Sequence, residues 1–281
     1  MLEEPVVLDS VTELRPAHAG RVAVCGSHGG VFAAWCAAAA GVRAVILNDA
    51  GIGKDEAGVA GLLWLDSLGL PAAALDHDSC RIGDGADALA RGVVSRVNRA
   101  AAALGVAPGQ STAEALARLA AAPVVARRVP ELAETRVRIA EACREGVEVW
   151  ALDSVSLVRP EDAGRILVTG SHGGLLGGRP EKALRVDAFA ALFNDAGIGM
   201  EEAGVARLAA LDARGIAAAT VDCFSARIGE GLSTWREGVI SRVNARAAAL
   251  GARVGLSARA FVELCVRARA AELERSRREG R

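Results

Sequence analysis

The sequence predicts an α/β protein made by tandem duplication: two pseudo-symmetric halves, each a mostly parallel-sheet α/β/α unit. Two observations carry that prediction. Short apolar runs bounded by Gly, Asp or Pro alternate with helical patterns, which implies βαβ units with a mostly parallel sheet. The whole pattern then occurs a second time, with the same polar loops in the same places.

The repeat is direct. Residues 8–30, LDSVTELRPAHAGRVAVCGSHGG, align without a gap to 152–174, LDSVSLVRPEDAGRILVTGSHGG. After a two-residue insertion in the second copy the match resumes, NDAGIGKDEAGVA at 48–60 against NDAGIGMEEAGVA at 194–206. It continues through Ser79-Cys80-Arg81-Ile82-Gly83-Asp84-Gly85 against Ser225-Ala226-Arg227-Ile228-Gly229-Glu230-Gly231, and through 92–98 against 238–244.

In the first copy, buried strands are expected at 6–8, 21–25, 42–47 and 72–75, where apolar runs are too short for helices. Helical patterns lie between and after them at 31–40, 54–68, 86–104 and 112–121, the last capped by Ser111 with Glu114 three positions on. The second copy reads the same way, with strands near 149–153, 166–169, 188–193 and 217–221. Residues 122–146, with two prolines and then a charged helical run, form the expected connection, so the halves are taken as 1–121 and 147–281.

Composition narrows the function. Hydrophobic residues make up 52% but aromatics only 3%, with no Tyr, so a stacking platform for single-stranded nucleic acid is not expected. Thirty-three basic side chains nearly cancel 34 acidic ones, which leaves no overall field to draw the chain to nucleic acid or an anionic membrane. The basic run from Arg275 to Arg281 alternates with glutamates and reads as a solvated helix end. The start, MLEEPVV, lacks a signal-peptide layout and no long uncharged apolar stretch follows, so a cytoplasmic protein is expected. Six scattered cysteines without a C-x-x-C argue against a zinc site or a disulfide framework.

Three polar, glycine-rich loops follow the second, third and fourth strands of each copy, at the edge where open parallel sheets bind ligands. The first is Gly26-Ser27-His28-Gly29-Gly30, repeated as Gly170-Ser171-His172-Gly173-Gly174. It is neither a dinucleotide fingerprint nor a Walker loop, so no NAD or ATP is inferred. His28 and His172 are two of only four histidines, and a neutral imidazole serves as a general base near pH 7. Gly29, Gly30, Gly173 and Gly174 would supply N–H groups to an oxyanion, beside Ser27 and Ser171 as substrate contacts.

The second loop carries Asn48 and Asp49, repeated as Asn194 and Asp195. These residues also form turns and caps; in a catalytic role the aspartates would orient the histidines and the asparagines would touch substrate. The third carries Ser79 and Arg81, repeated as Ser225 and Arg227: the arginines suit bidentate capture of a carboxylate, and the serines are nucleophiles if a histidine reaches them. Ser95, Arg96 and Asn98, with Ser241, Arg242 and Asn244, are expected inside a long helix lining the interface between halves.

The order Ser-His-Gly then Asp-Ala-Gly at successive strand ends resembles caspase-type peptidases. There the second turn carries a nucleophilic cysteine, which here is Gly51, so that activity is not implied.

The function expected is therefore an enzyme acting on a small anionic metabolite bearing a carboxylate or amide, with hydrolysis favoured. An isomerase, racemase or lyase with a composite two-histidine site, and a non-catalytic small-molecule binder, are the alternatives. No cofactor is expected, a divalent metal is left open because no ligand spacing names one, and homo-oligomeric assembly is left open too.

Overall fold

A computed structural model describes residues 4–279; the first three residues of the acidic start and the last two of the basic end lie outside them. The protein is α/β, with two mostly parallel sheets. The chain divides into two compact units: residues 1–133 with 174–179 and 196–204, and residues 134–173 with 180–195 and 205–281.

The first unit holds a five-stranded sheet in the order β1 (Val6–Leu8), β2 (Val22–His28), β3 (Ala44–Asn48), β4 (Ala72–Leu75), β5 (Val94–Val97). The first four strands are parallel and β5 is antiparallel at the edge. Side chains of a strand alternate between faces, and the core separates on that period. Ala23, Cys25, Val45, Leu47, Ala72 and Ala74 pack beneath α1 (Val31–Ala39) and α2 (Ala60–Ser67). Val22, Val24, Ala44, Ile46, Ala73 and Leu75 face the other way, onto α3 (Gly85–Arg91), α4 (Arg99–Ala103) and α5 (Thr112–Leu119). Both faces are buried, which is why the strands read as unbroken apolar runs.

Because β1 to β4 follow one another in sequence order, the sheet contains no reversal and hence no topological switch point. The crevice expected from that rule is therefore not supplied by strand order, and any site here is built by the loops themselves.

The long helix expected over 86–104 is instead α3, a strand and α4. Gly92 ends α3, β5 pairs with β4 through Ala74 and Arg96, and Asn98 caps α4 by accepting from the Ala101 N–H. The alanine-rich flanks hid a four-residue strand. The expected cap of α5 is present, with Ser111 and Glu114 bonding each other's backbone N–H groups.

In the second unit, β6 (Arg136–Arg138), β7 (Val149–Leu152), β8 (Ile166–His172), β9 (Ala190–Asn194), β10 (Ala217–Val221) and β11 (Ile240–Val243) form one sheet in that order. Strands β7 to β10 are parallel, with antiparallel β6 and β11 at the edges. The connection expected to be helical carries β6 instead: the edge of β7 would leave unpaired N–H and C=O groups, and Val137 pairs opposite Ala151 to satisfy them. One face of this sheet packs on α7 (Gly231–Glu237), α8 (Ala245–Ala249) and the 22-residue α9 (Ala258–Glu279), through Trp235, Ala247, Phe261 and Cys265. Among the described residues no helix is long and apolar enough to cross a membrane.

The copies diverge where α1 should recur. The second has only 3-10 turns at Leu176–Gly178 and Pro180–Lys182 before β9. In the first copy Gly61 lets α2 cross the start of α1: a Cβ there would lie 2.5 Å from the Gly30 carbonyl oxygen and 2.7 Å from the Ala34 methyl. The matching residue, Arg207 on α6 (Arg207–Asp212), is buried, donates to the Ala183 carbonyl and lies over the Phe193 ring at 5.2 Å. A long side chain occupies this place in the copy without the helix, and burial lowers its guanidinium pKa to about 10.

Candidate functional site

In the first unit His28 ends β2 in register with Asn48 at the end of β3. The chain then enters a run of left-handed residues, Ala50, Gly51, Ile52 and Gly53, with φ of 51°, 71°, 62° and 68°. The second copy repeats it at Ala196, Gly197, Ile198 and Gly199, with φ of 52°, 75°, 65° and 66°. A β-branched residue at positive φ costs on the order of 1–3 kcal/mol, so surrounding bonds must hold it. In the first copy they are the Ala50 N–H to Asn48 Oδ1 at 2.9 Å, the Gly51 N–H to Asp49 Oδ1 at 3.0 Å, and the Ile52 N–H to the Asp49 carbonyl at 2.8 Å.

This turn buries the carboxylate of Asp49 and aims it at the loop after β4. Asp49 Oδ1 accepts from His77 Nδ1 at 3.0 Å and from the His77 backbone N–H at 3.1 Å, while Oδ2 accepts from the Ser95 hydroxyl at 2.7 Å. Burial pushes the Asp49 carboxyl up, but the hydrogen bonds from His77 and Ser95 outweigh it and hold the group below its usual range. The His77 imidazole is pushed up by its bond to Asp49, against burial, with the charges of Asp49, Asp78 and Asp76 adding to the rise.

Donation from Nδ1 to Asp49 leaves the lone pair of the neutral ring on Nε2. That atom lies 3.8 Å from Asp78 Oδ2 and against the segment 196–204, which belongs to the same unit. A Cβ at Gly197 would come within 2.9 Å of Nε2 and 2.9 Å of the Gly51 Cα, so only glycine fits between. The His77 side chain is 24% exposed, so it remains partly accessible.

Ligand atoms of Asp49, Asp76 and His77 all lie within 4.8 Å of one another. These three residues could hold a divalent cation through two carboxylates and one imidazole, a donor set shared by several first-row metals.

Apart from Asp49, the residues singled out from sequence fall around this pair rather than in it. His28 Nδ1 accepts from the Gly30 N–H at 3.1 Å, and burial lowers the imidazole to about 4. It is thus neutral with its proton on Nε2, a donor; the aspartate expected to orient it bonds His77 instead. The Gly29 N–H goes to the Asn48 carbonyl at 2.8 Å, so neither glycine N–H is left over for an oxyanion. In the second copy the Gly173 N–H goes likewise to the Asn194 carbonyl at 2.8 Å, His172 is buried at the end of β8, and Gly174 begins the segment assigned to the first unit.

Ser27 and Ser171 accept from the Val11 and Val155 N–H groups at 2.9 Å, fixing the turn after the preceding strand. Asn194 Nδ2 donates to the Ala226 carbonyl at 3.0 Å, and Asn48 Nδ2 points at the equivalent Cys80 carbonyl at 3.5 Å. Ser79 donates to the Asp76 carbonyl at 2.7 Å and accepts from the Val93 N–H at 2.9 Å; Ser225 repeats both bonds with Asp222 and Val239. These hydroxyls brace the turn.

Arg81 meets Asp84 at 3.0 Å, Asp87 at 3.3 Å and Glu201 at 2.8 Å, and Arg227 meets Glu230 at 2.9 Å. Carboxylates of the chain itself stand where a substrate anion was expected. Asp195 accepts from the backbone N–H of Cys223 at 2.9 Å, and Cys223 takes the place that His77 has in the first copy.

His77 is the site residue that comparison of the copies passes over, for that reason. Its signal in the sequence is a histidine set between two aspartates, Asp76-His77-Asp78, directly after a strand.

Fold and loops together define a duplicated α/β protein with a carboxylate–imidazole pair at the strand ends of one copy. No known protein family, curated protein or solved structure matches the chain.

Proposed function

We propose that the protein is a hydrolase acting on a small anionic metabolite that bears a carboxylate or an amide, with its chemistry on Asp49 and His77. The observation that carries this reading is the buried Asp49 carboxylate holding Nδ1 of a partly exposed imidazole at 3.0 Å. A histidine so oriented takes protons on Nε2. In the proposed reaction His77 Nε2 removes a proton from water as the water oxygen bonds to the substrate carbonyl carbon. The proton then passes to the leaving nitrogen as the C–N bond breaks. Neutral His28, with its proton on Nε2, is the donor available in the neighbouring loop for the developing oxyanion.

Arg81 keeps its part as the substrate anion's partner. Glu201 is the most exposed of its three carboxylates, at 51%, and a substrate carboxylate of the same chemistry replaces it at least cost. Ser79 has no part as nucleophile in this scheme, because both its proton and an acceptor site are spent on the backbone. The six cysteines are free thiols, which fits small-molecule metabolism in the reducing cytoplasm.

The test is turnover of a panel of small amides, cyclic amides and carboxylate esters in ¹⁸O-labelled water, read by mass spectrometry. Wild type should place ¹⁸O in the carboxylate product of at least one compound and His77→Gln should not. Lack of label with every compound, or equal labelling by the variant, refutes the reading.

A further inference from the structure

The second unit contains a cleft of about 720 Å³ that has no part in the loops described above. It opens at the other end of the sheet, at the amino ends of β7 and β8, where Glu148 and Arg165 precede the two strands, whereas His172 ends β8. Seven residues of strand put the two ends on the order of 20 Å apart. The cleft is lined by four arginines, Arg138, Arg144, Arg165 and Arg269, against only two carboxylates, Glu145 and Glu148.

The positive excess survives a wider count. Arg138 and Arg165 share Glu148, at 3.2 and 2.6 Å, and Arg165 also shares Asp162 with Arg136. Arg269 shares Glu272 with Arg246, at 3.3 and 3.2 Å, and Arg277 meets Glu145 at 3.5 Å. Arg144 donates to the neighbouring Cys143 carbonyl, and no carboxylate is bonded to it among the described residues. Six arginines thus divide four carboxylates and Arg144 adds a seventh guanidinium, in a chain whose charges nearly cancel.

The surroundings of the cleft also differ from those of the matching place in the first copy. Gly20-Arg21 and Gly164-Arg165 correspond in the repeat, yet Gly20 is faced by the Val124 side chain and Gly164 by the guanidinium of Arg269. A Cβ at Gly164 would meet that guanidinium at 2.8 Å, so the glycine leaves it room. The remaining walls come from the segment around β6 and from α9. Arg269 thus lines a place that Val124 covers in the first copy.

We propose that this cleft binds a small molecule through a phosphate or diphosphate group. Planar guanidinium forks match phosphate oxygens in pairs, and the volume lies within the usual range for small-ligand sites. Arg138 and Arg144 are exposed, Arg138 meeting Glu148 at 3.2 Å and Arg144 bonded to a backbone carbonyl, while Arg165 and Arg269 are held by their carboxylates and by the faces of Trp150 and Phe189, at 5.4 Å each.

The experiment is calorimetric titration of the full chain with inorganic pyrophosphate, then with inorganic phosphate, at constant ionic strength near ~0.15 M set with chloride. Saturable one-site binding is expected, weakened about tenfold by Arg144→Ala and further by Arg138→Ala with Arg144→Ala. Both residues are exposed, and an unchanged thermal midpoint without ligand shows that the variants fold. Binding should be unchanged in His77→Gln, so this inference and the hydrolase reading fail separately. Absence of saturable heat with either anion, or equal binding by the arginine variants, overturns it.

Discussion

Asp49 holds Nδ1 of His77 at 3.0 Å with one carboxylate oxygen and the Ser95 hydroxyl at 2.7 Å with the other. Three elements meet in this relationship: the turn after β3, the loop after β4, and β5. Removing the carboxylate charge should therefore be felt at the imidazole. Asp49→Asn is expected to lower the His77 pKa, because the Asp49 charge and the charge-assisted hydrogen bond that raise it most are gone, while burial and the smaller pull of Asp76 and Asp78 remain. Histidine side-chain NMR against pH reads the shift directly. Ser95→Ala, which keeps the charge and loses one bond, should leave the His77 pKa above 6.5; a drop as large as that of Asp49→Asn would show that geometry rather than charge sets it.

His28 gives the opposite sign. Its folded pKa, about 4, lies below the ordinary 6.5, so between those values the unfolded chain takes up a proton that the folded chain does not. Stability from this residue is intact above about pH 6.5 and declines as pH falls toward 4, by about 3 kcal/mol in all. Urea unfolding of wild type and His28→Gln at several pH values should show the variant losing less over that window. Parallel curves would contradict the assignment.

Asn98 tests the fold rather than the chemistry. Its buried side chain accepts from the Ala72 and Ala101 N–H groups at 3.0 and 2.9 Å, and donates to the Leu70 carbonyl at 2.8 Å and the Leu62 carbonyl at 3.3 Å. Asn244 repeats the set in the second unit with Ala218, Ala247, Ile216 and Leu208. Truncation leaves several buried groups unpaired, so Asn98→Ala and Asn244→Ala should each cost about 3 kcal/mol in chemical denaturation. A loss near zero in either would mean that water replaces the network.

These same residues mark what the sequence made legible. Strands such as 72–75 and 217–221 announce themselves as short apolar runs, and the alternation of buried faces follows from their period. Strand β5 does not, because Ala-rich helical stretches on both sides swamp four residues; Gly92 and Asn98 were its punctuation. The edge strand β6 was hidden because a run of Arg and Glu has helical propensity, while the demand that pairs it, the open edge of β7, exists only in three dimensions. At the site, Asp49 was visible because both copies keep it. His77 was not, because comparing the copies selects what they share, and Cys223 stands in its place. Ser79 is not a nucleophile for another reason: a sequence shows a hydroxyl but not the Asp76 carbonyl and Val93 N–H that engage it.

The most direct test of the Asp49–His77 account is the rate of His77→Gly with and without added imidazole, on whichever compound wild type hydrolyses. The account predicts a loss of about 10²–10⁴-fold, partly restored by imidazole, with wild-type activity rising through the raised pKa of His77, above pH 6.5. A variant that keeps the wild-type rate, or whose lost rate imidazole leaves unmoved, would place the chemistry elsewhere.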